Sequence, residues 1–170
     1  SSLMEILDRE KPEIIINFVG QAEVSTSWIY PEQWFETNTL AIVRFAQELK
    51  SRDYLKKYFA FSSPEVYGSM KENTAENSNY QPTTPYAVSK LAGDLFLRTL
   101  HIKEKFPVIF IRAANVYGPC QQLFRIIPKV IIQCKKAEKT TLNNGGRSRR
   151  GFIHVNDVAD AIWKAICNGK

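Results

Sequence analysis

Cysteine and histidine are scarce in this chain, and neither type is grouped. Cys120, Cys134 and Cys167 are odd in number, widely spaced and without a C-x-x-C pair. That argues against a disulfide framework and a zinc site, and leaves buried or idle reduced thiols. His101 and His154 are the two histidines, and no recognisable ligand spacing joins them to the thiols, so no metal site is expected. His154 alternates with apolar residues and reads as structural. No Ser-His-Asp arrangement suggests a hydrolase. Also missing is any apolar run near the roughly 20 residues that cross a bilayer. The start is neither basic nor followed by a signal-type core, so a soluble, cytoplasmic protein without membrane contact is expected. There are no internal repeats, no low-complexity tracts and no G-x-G-x-x-G cluster.

What is present is an ordinary α/β composition: 170 residues, 44% hydrophobic and 24% charged, enough for one domain. The formal net charge is +6, concentrated late in Arg125, Lys129, Lys135, Lys136, Lys139, Arg147, Arg149 and Arg150. No nucleic-acid-binding module accompanies it, and a solvated face is the simpler reading. A diphosphate ligand needs only one or two of these cations.

Periodicity gives alternating strands and helices. Leu3 to Arg9 reads as a helix tail. Glu13 to Val19 is a continuous apolar run ending at Gly20, the mark of a strand buried on both faces. Glu32 to Ser51 has helical spacing through Phe35, Leu40, Val43, Phe45, Ala46 and Leu49, and Tyr58 to Ser62 is the next strand. The polar loop Ser69 to Thr84 precedes a helix from Pro85 to about Lys103, with Ala87, Leu91 and Leu95 or Phe96 inward. Val108 to Arg112 is a third strand, Ile126 to Cys134 a helix and Gly151 to Val155 a short strand. Asn156 is expected to cap a closing helix that ends at Asn168-Gly169. This order predicts a doubly wound parallel sheet, with ligands at the carboxyl ends of its strands. Gly20, Ser62 to Glu65 and Ala113 to Val116 fall at such ends, so one crevice is expected to gather all three.

The chemistry is concentrated in Ser62-Ser63-Pro64-Glu65-Val66-Tyr67-Gly68 and Tyr86-Ala87-Val88-Ser89-Lys90. Tyr86 and Lys90 are four apart and share a helical face, so the lysine charge can lower the phenol pKa and make a proton acceptor. A Tyr-x-x-x-Lys pair alone is weak evidence. Its weight comes from ordered company: PEIIINFVGQAEV, ETNTLAIV, FSSPEVYG, PTTPYAVSKLAGD, RAANVYGP, RIIPKVI and GRSRRGFIHVNDVADAI.

In these motifs the chain resembles the extended short-chain dehydrogenase/reductases that act on nucleotide sugars, most closely the dTDP-glucose 4,6-dehydratase branch, from Pro12 to about Asn168. The resemblance implies an NAD(P)-binding Rossmann fold, with NAD as cofactor and NADP possible. It implies that this is an internal segment, lacking the Gly-rich βαβ unit that cradles the cofactor pyrophosphate and the end of the substrate lobe. Residues 1–119 would then be the rest of the cofactor domain and residues 120–170 the start of the substrate lobe. So cut, the strand at Glu13 would lack a neighbour on one side, and the segment alone is expected to fold poorly or pair with another chain.

The resemblance also implies roles. Tyr86 is the base and Lys90 its electrostatic partner, with Ser63 hydrogen-bonded to the substrate hydroxyl. Glu65 takes the C5 proton once C4 of the hexose is a ketone, so that C6 loses water; a 4-epimerase needs no such carboxylate. Phe18, Val19, Gly20, Gln21, Thr37 and Val116 line the dinucleotide together with Tyr86 and Lys90. Ala22, Ser63, Asn115, the stretch Arg125, Ile126, Ile127, Pro128, Lys129 and Val130, and Arg150 meet the nucleotide sugar, Arg150 as a bidentate diphosphate clamp. A homodimer through the helices at Glu32 and Pro85 is implied as well. The chain departs from the pattern at Pro64, where the branch has an acid, and at Ala22, Glu23, Ser25 and Gly151. Base and sugar therefore stay open, as do a 4-epimerase, a reductase and a non-catalytic binding relative.

Overall fold

The fold follows from three short apolar strands that pair in parallel and two long helices that cover them. A computed structural model describes residues 3–68, 74–147 and 149–168; the expectations for Ser69 to Asn73, Ser148 and Gly169 lie outside them. By compactness the chain divides into residues 1–112 and residues 113–168.

In the first unit, helix α1 (Leu3–Glu10) leads into strand β1 (Ile14–Asn17), and a single turn, α2 (Val24–Ser27), follows. Helix α3 (Pro31–Phe35) then continues through a π-helical turn at Glu36–Leu40 into α4 (Ala41–Leu49). Strand β2 (Lys57–Phe61), a 3-10 turn at Pro64–Tyr67, α5 (Pro85–Glu104) and β3 (Val108–Ile111) complete it. The sheet order is β1-β2-β3, all parallel, with Ile15 beside Tyr58 and Phe59 beside Ile109.

Strand β1 is shorter and less covered than the apolar run predicts. Asn17 ends it: its Oδ1 accepts the Val19 N–H at 2.9 Å and its Nδ2 donates to the Tyr58 hydroxyl at 2.6 Å, so local side-chain bonding replaces the ladder. As the outer strand, β1 is only half-buried, whereas the middle of β2 is fully buried. The core joins Ile42, Ala46 and Leu49 of α4 to Tyr58 and Ala60 of β2 and to Leu97 and Leu100 of α5, with Phe96 packed against it and Leu95 exposed.

The predicted helix over Glu32 to Ser51 forms, but its inward face is Trp34, Asn38, Ile42, Ala46 and Leu49, and Leu40 is exposed. The wider π turn changes the phase, carrying residues four apart onto one line. It also presents the Asn38 carbonyl to Gly93 of α5, where an added Cβ would sit 2.5 Å from that oxygen.

The second unit holds β4 (Asn115–Tyr117), α6 (Ile126–Lys135), a 3-10 turn at Asn143–Gly146, β5 (Phe152–His154) and α7 (Val155–Asn168). Strands β4 and β5 pair in parallel, Asn115 beside Phe152. The expected cap at Asn156 is corrected. Strand β5 passes directly into α7 at Val155, and the His154 ring accepts the Asn156 N–H at Nδ1, 3.2 Å away. The cysteines are free and exposed rather than buried.

Candidate active site

Helix α5 carries the central pair, and its start is fixed by two hydroxyls. Thr84 Oγ1 accepts the Ala87 N–H at 3.1 Å, Pro85 opens the first turn, and Ser27 Oγ accepts the Tyr86 N–H at 3.3 Å. Two otherwise unpaired amides of the first turn are thereby satisfied, and α2 is tied to the turn that bears Tyr86. One turn on, Lys90 Nζ donates to the Phe61 carbonyl at 2.8 Å, at the carboxyl end of β2. Burial holds the Lys90 ammonium below its ordinary pKa, and the Asp94 carboxylate works against that shift.

Beyond Phe61, Ser63 is buried and caps the 3-10 turn, its Oγ accepting the Glu65 N–H at 3.2 Å. Accepting at a lone pair leaves the hydroxyl hydrogen for another acceptor. Pro64 takes the first helical position, so the departure from the acid costs nothing locally, and Glu65 follows half-buried.

The segment after β1 faces Lys90. An added Cβ on Gly20 would sit 3.4 Å from Lys90 Nζ and 3.3 Å from Asn38 Oδ1. Phe18 and Val19 are 60% and 62% exposed, so they are not core; Phe18 leans on the Phe61 ring at 5.1 Å. Thr37 reaches the Gln21 side chain at 3.4 Å, and Ala22 is exposed. Asn17, Val19, Asn38, Phe61, Lys90 and Asp94 line a common cavity.

Sequence reasoning passes over Asn38, which shapes the site most directly. Fully buried, it accepts the Gln21 N–H at Oδ1 (2.9 Å) and donates through Nδ2 to the Gln21 carbonyl and to Ser89 Oγ (3.0 Å each). Ser89 Oγ donates to the Tyr86 carbonyl at 2.8 Å. A polar residue amid the apolar positions of a helix was the available signal, since such a group is buried only when hydrogen-bonded. Asp94 is passed over too, and Ser62 is placed only at a strand end, with no role of its own. Ser62 Oγ donates to Asp94 at 2.5 Å, and Arg112 pairs with the same carboxylate oxygen at 2.8 Å.

Five dinucleotide-facing candidates, Phe18 to Gln21 and Thr37, thus share the first unit with Ser63, Glu65, Tyr86 and Lys90. Ala22 lies in the first unit as well, and the remaining candidates lie in the second. Asn115 donates both its backbone N–H and its Nδ2 to the Gly151 carbonyl, each at 3.1 Å. The Val116 carbonyl accepts Gln121 Nε2 at 2.9 Å. Arg125 precedes α6 with its guanidinium 5.4 Å from the Phe124 ring centroid, and Ile126 to Val130 form the first turns of α6. Arg150 is exposed. Among the described residues no group of three His, Cys, Asp or Glu could hold a metal, and no helix is long and apolar enough to cross a membrane.

A model of the NAD dependent epimerase/dehydratase family matches residues 1–170. The human dTDP-D-glucose 4,6-dehydratase is 32% identical over 169 residues, covering 97% of this chain and 47% of its own. The chain therefore spans about half the length of such curated relatives. A dTDP-glucose 4,6-dehydratase from Streptomyces venezuelae, solved with NAD bound, superposes with a TM-score of 0.87 at 27% identity, covering 98% of this chain and 52% of that one. The UDP-glucuronic acid 4-epimerase of Bacillus cereus superposes at 0.91 with 23% identity over 100% of this chain and 54% of its own, a likeness of fold.

Proposed function

The chain belongs to the NAD dependent epimerase/dehydratase family, and from that membership we propose that the whole protein is a nucleotide-sugar 4,6-dehydratase that uses NAD. The observation that carries the reading is the anchoring of Lys90 at the end of β2, on the helical face of Tyr86 and beside the turn that bears Ser63 and Glu65. The residues present fit the nicotinamide half of the cofactor. The open backbone at Gly20 abuts Lys90 and Asn38, where a Cβ would intrude, and Phe18 and Val19 offer exposed apolar surface to a planar ring. NAD, when bound, would accept the C4 hydride and return it to C6 after water has left, which with a proton at C5 gives the methyl group.

The protein's own groups do the proton chemistry. Tyr86 accepts the proton of the C4 hydroxyl, with the Lys90 ammonium stabilising the phenolate. Ser63 donates to the same oxygen and orients it. Once C4 is a ketone the C5 hydrogen is acidic, and Glu65, on its capped turn, removes it so that the C6 hydroxyl departs as water. Pro64 can donate no proton to that departure, so the proton comes from another donor, for which water or a substrate hydroxyl suffices. In the second unit, Val116 meets the cofactor, and Asn115, Arg125 to Val130 and Arg150 take the nucleotide side of the sugar ligand.

The exposed residues Val88, Leu95 and Ile102 on α5 support a homodimer through that helix. Three exposed free thiols suit a reducing, cytoplasmic setting.

Proton NMR of the full-length protein with dTDP-glucose, GDP-mannose and UDP-glucose in deuterated water tests the reading. The expected product has a new C6 methyl signal and deuterium at C5. A change confined to C4 would make the protein an epimerase and remove the role of Glu65, and no change with any sugar would point to a non-catalytic relative.

A further inference from the structure

One buried cluster next to the site has no part in the chemistry above. Asp94 lies four residues after Lys90 on α5, and its Oδ2 accepts from Ser62 Oγ and from Arg112 Nη2. Arg112 follows the last residue of β3, where the Ile111 carbonyl accepts the Ser62 N–H at 2.8 Å. Its other arm, Nη1, donates to the Tyr67 hydroxyl at 3.0 Å. Tyr67 closes the 3-10 turn that begins with Ser63 and Glu65. The two side chains of the ion pair are only 15% and 8% exposed.

A buried ion pair is a poor source of stability, because desolvation offsets the attraction and apolar packing often serves as well. What it provides is direction. A planar guanidinium bonds two partners at a fixed angle, and here the partners sit on the helix of Lys90 and on the turn of Glu65. The same turn is held from its far side. Tyr67 donates to the Glu76 carbonyl at 3.0 Å, the Gln81 N–H donates to the Val66 carbonyl at 3.0 Å, and the Tyr80 ring stacks on Tyr67 at 5.5 Å. The Arg112 guanidinium lies 5.3 and 5.5 Å from those two ring centroids.

We propose that Asp94 and Arg112 are positioning residues that hold the Ser63–Glu65 turn at a fixed offset from the Tyr86–Lys90 helix. The inference rests on the roles given above to those four residues. Neither Asp94 nor Arg112 touches substrate; each acts through the groups it aligns. Arg112→Lys keeps the charge beside Asp94 and loses the fork. Tyr67→Phe removes the hydroxyl that the fork reaches, and with it the bond to the Glu76 carbonyl.

The test uses full-length Arg112→Lys and Tyr67→Phe proteins and two readouts. Amide hydrogen exchange is followed in the peptide spanning 62–68, with α4 as the internal reference. Turnover is followed with whichever nucleotide sugar the unsubstituted protein converts. In Arg112→Lys the expected result is exchange at 62–68 faster by about tenfold with α4 unchanged, and kcat lower by about 10- to 100-fold with KM within about twofold. Tyr67→Phe should move both readouts the same way by less. Unchanged exchange at 62–68, a rise shared equally by α4, or a loosened turn with unchanged kcat would each overturn the proposal. If Arg112→Lys fails to fold, Tyr67→Phe decides. If the unsubstituted protein converts no nucleotide sugar, the functional reading fails while the exchange comparison still decides whether the pair holds the turn.

Discussion

Lys90 stands at the point where stability and chemistry conflict. Burial is the larger influence on its pKa, which lies below the ordinary 10.5 in the folded state, with Asp94 opposing the shift. A basic group with a depressed folded pKa is penalised while charged: the penalty is fully present below the folded pKa and disappears as pH rises to the unfolded value. Lys90→Met removes the penalty along with the charge. Thermal unfolding of both proteins from pH 7 to 10.5 should therefore show the unsubstituted protein gaining on Lys90→Met as pH rises, while Lys90→Met turns over no sugar at any pH. A stability difference that does not move with pH would mean that Lys90 has the same pKa folded and unfolded, so that burial leaves its charge unpenalised. Tyr86 and Lys90 could be picked out in the sequence because helical spacing puts them on one face and the ordered motifs around them give the pair its weight. Asn38 was not, because its partners, the Gln21 backbone and Ser89, are distant in sequence.

At the scale of elements, the π turn packs directly against α5, backbone to backbone. Residues Trp34, Asn38 and Ile42 stay on one line only because the turn at Glu36–Leu40 is wide, and the Asn38 carbonyl then meets the bare Cα of Gly93. Backbone on both sides cannot yield as a flexible side chain would. Gly93→Ala is expected to destabilise by about 1–3 kcal/mol, measured by urea unfolding, and to lower kcat by shifting Asn38 and with it Gln21. A substitution as stable as the unsubstituted protein would show that the two helices separate without cost. Strand and helix order could be read from periodicity, whereas the π turn could not: no residue type demands it, and it is selected by packing against α5. The end of β1 at Asn17 and the start of α7 at Val155 likewise depend on side-chain bonds that periodicity does not report.

For the whole molecule, surface left uncovered is the guide. Val88, Leu95 and Ile102 recur every seven residues along α5 and are exposed, a stripe that drifts little around a helix and suits a helix partner. Leu95→Glu with Ile102→Glu should convert a full-length dimer to monomers in sedimentation experiments while leaving the circular dichroism spectrum unchanged; a dimer that survives both changes uses another surface. The outer edge of β1 has no strand partner among the described residues, so this 170-residue polypeptide expressed alone is expected to self-associate through it.

Motif order, residue chemistry and spacing along single elements belong to the sequence by itself: the parallel α/β class, the Tyr86–Lys90 pair and the turn with Ser63 and Glu65 all follow from it. The class follows from the order of strands and helices, and the pair and the turn depend on neighbours within a few residues, where geometry is nearly fixed by element type. Tertiary structure alone decided that Lys90 is anchored on Phe61, that Asn38 clamps Gln21, and that Asp94 and Arg112 bind the helix of Lys90 to the turn of Glu65. Each of those is a hydrogen bond between groups tens of residues apart, formed because burial leaves polar atoms no other partner.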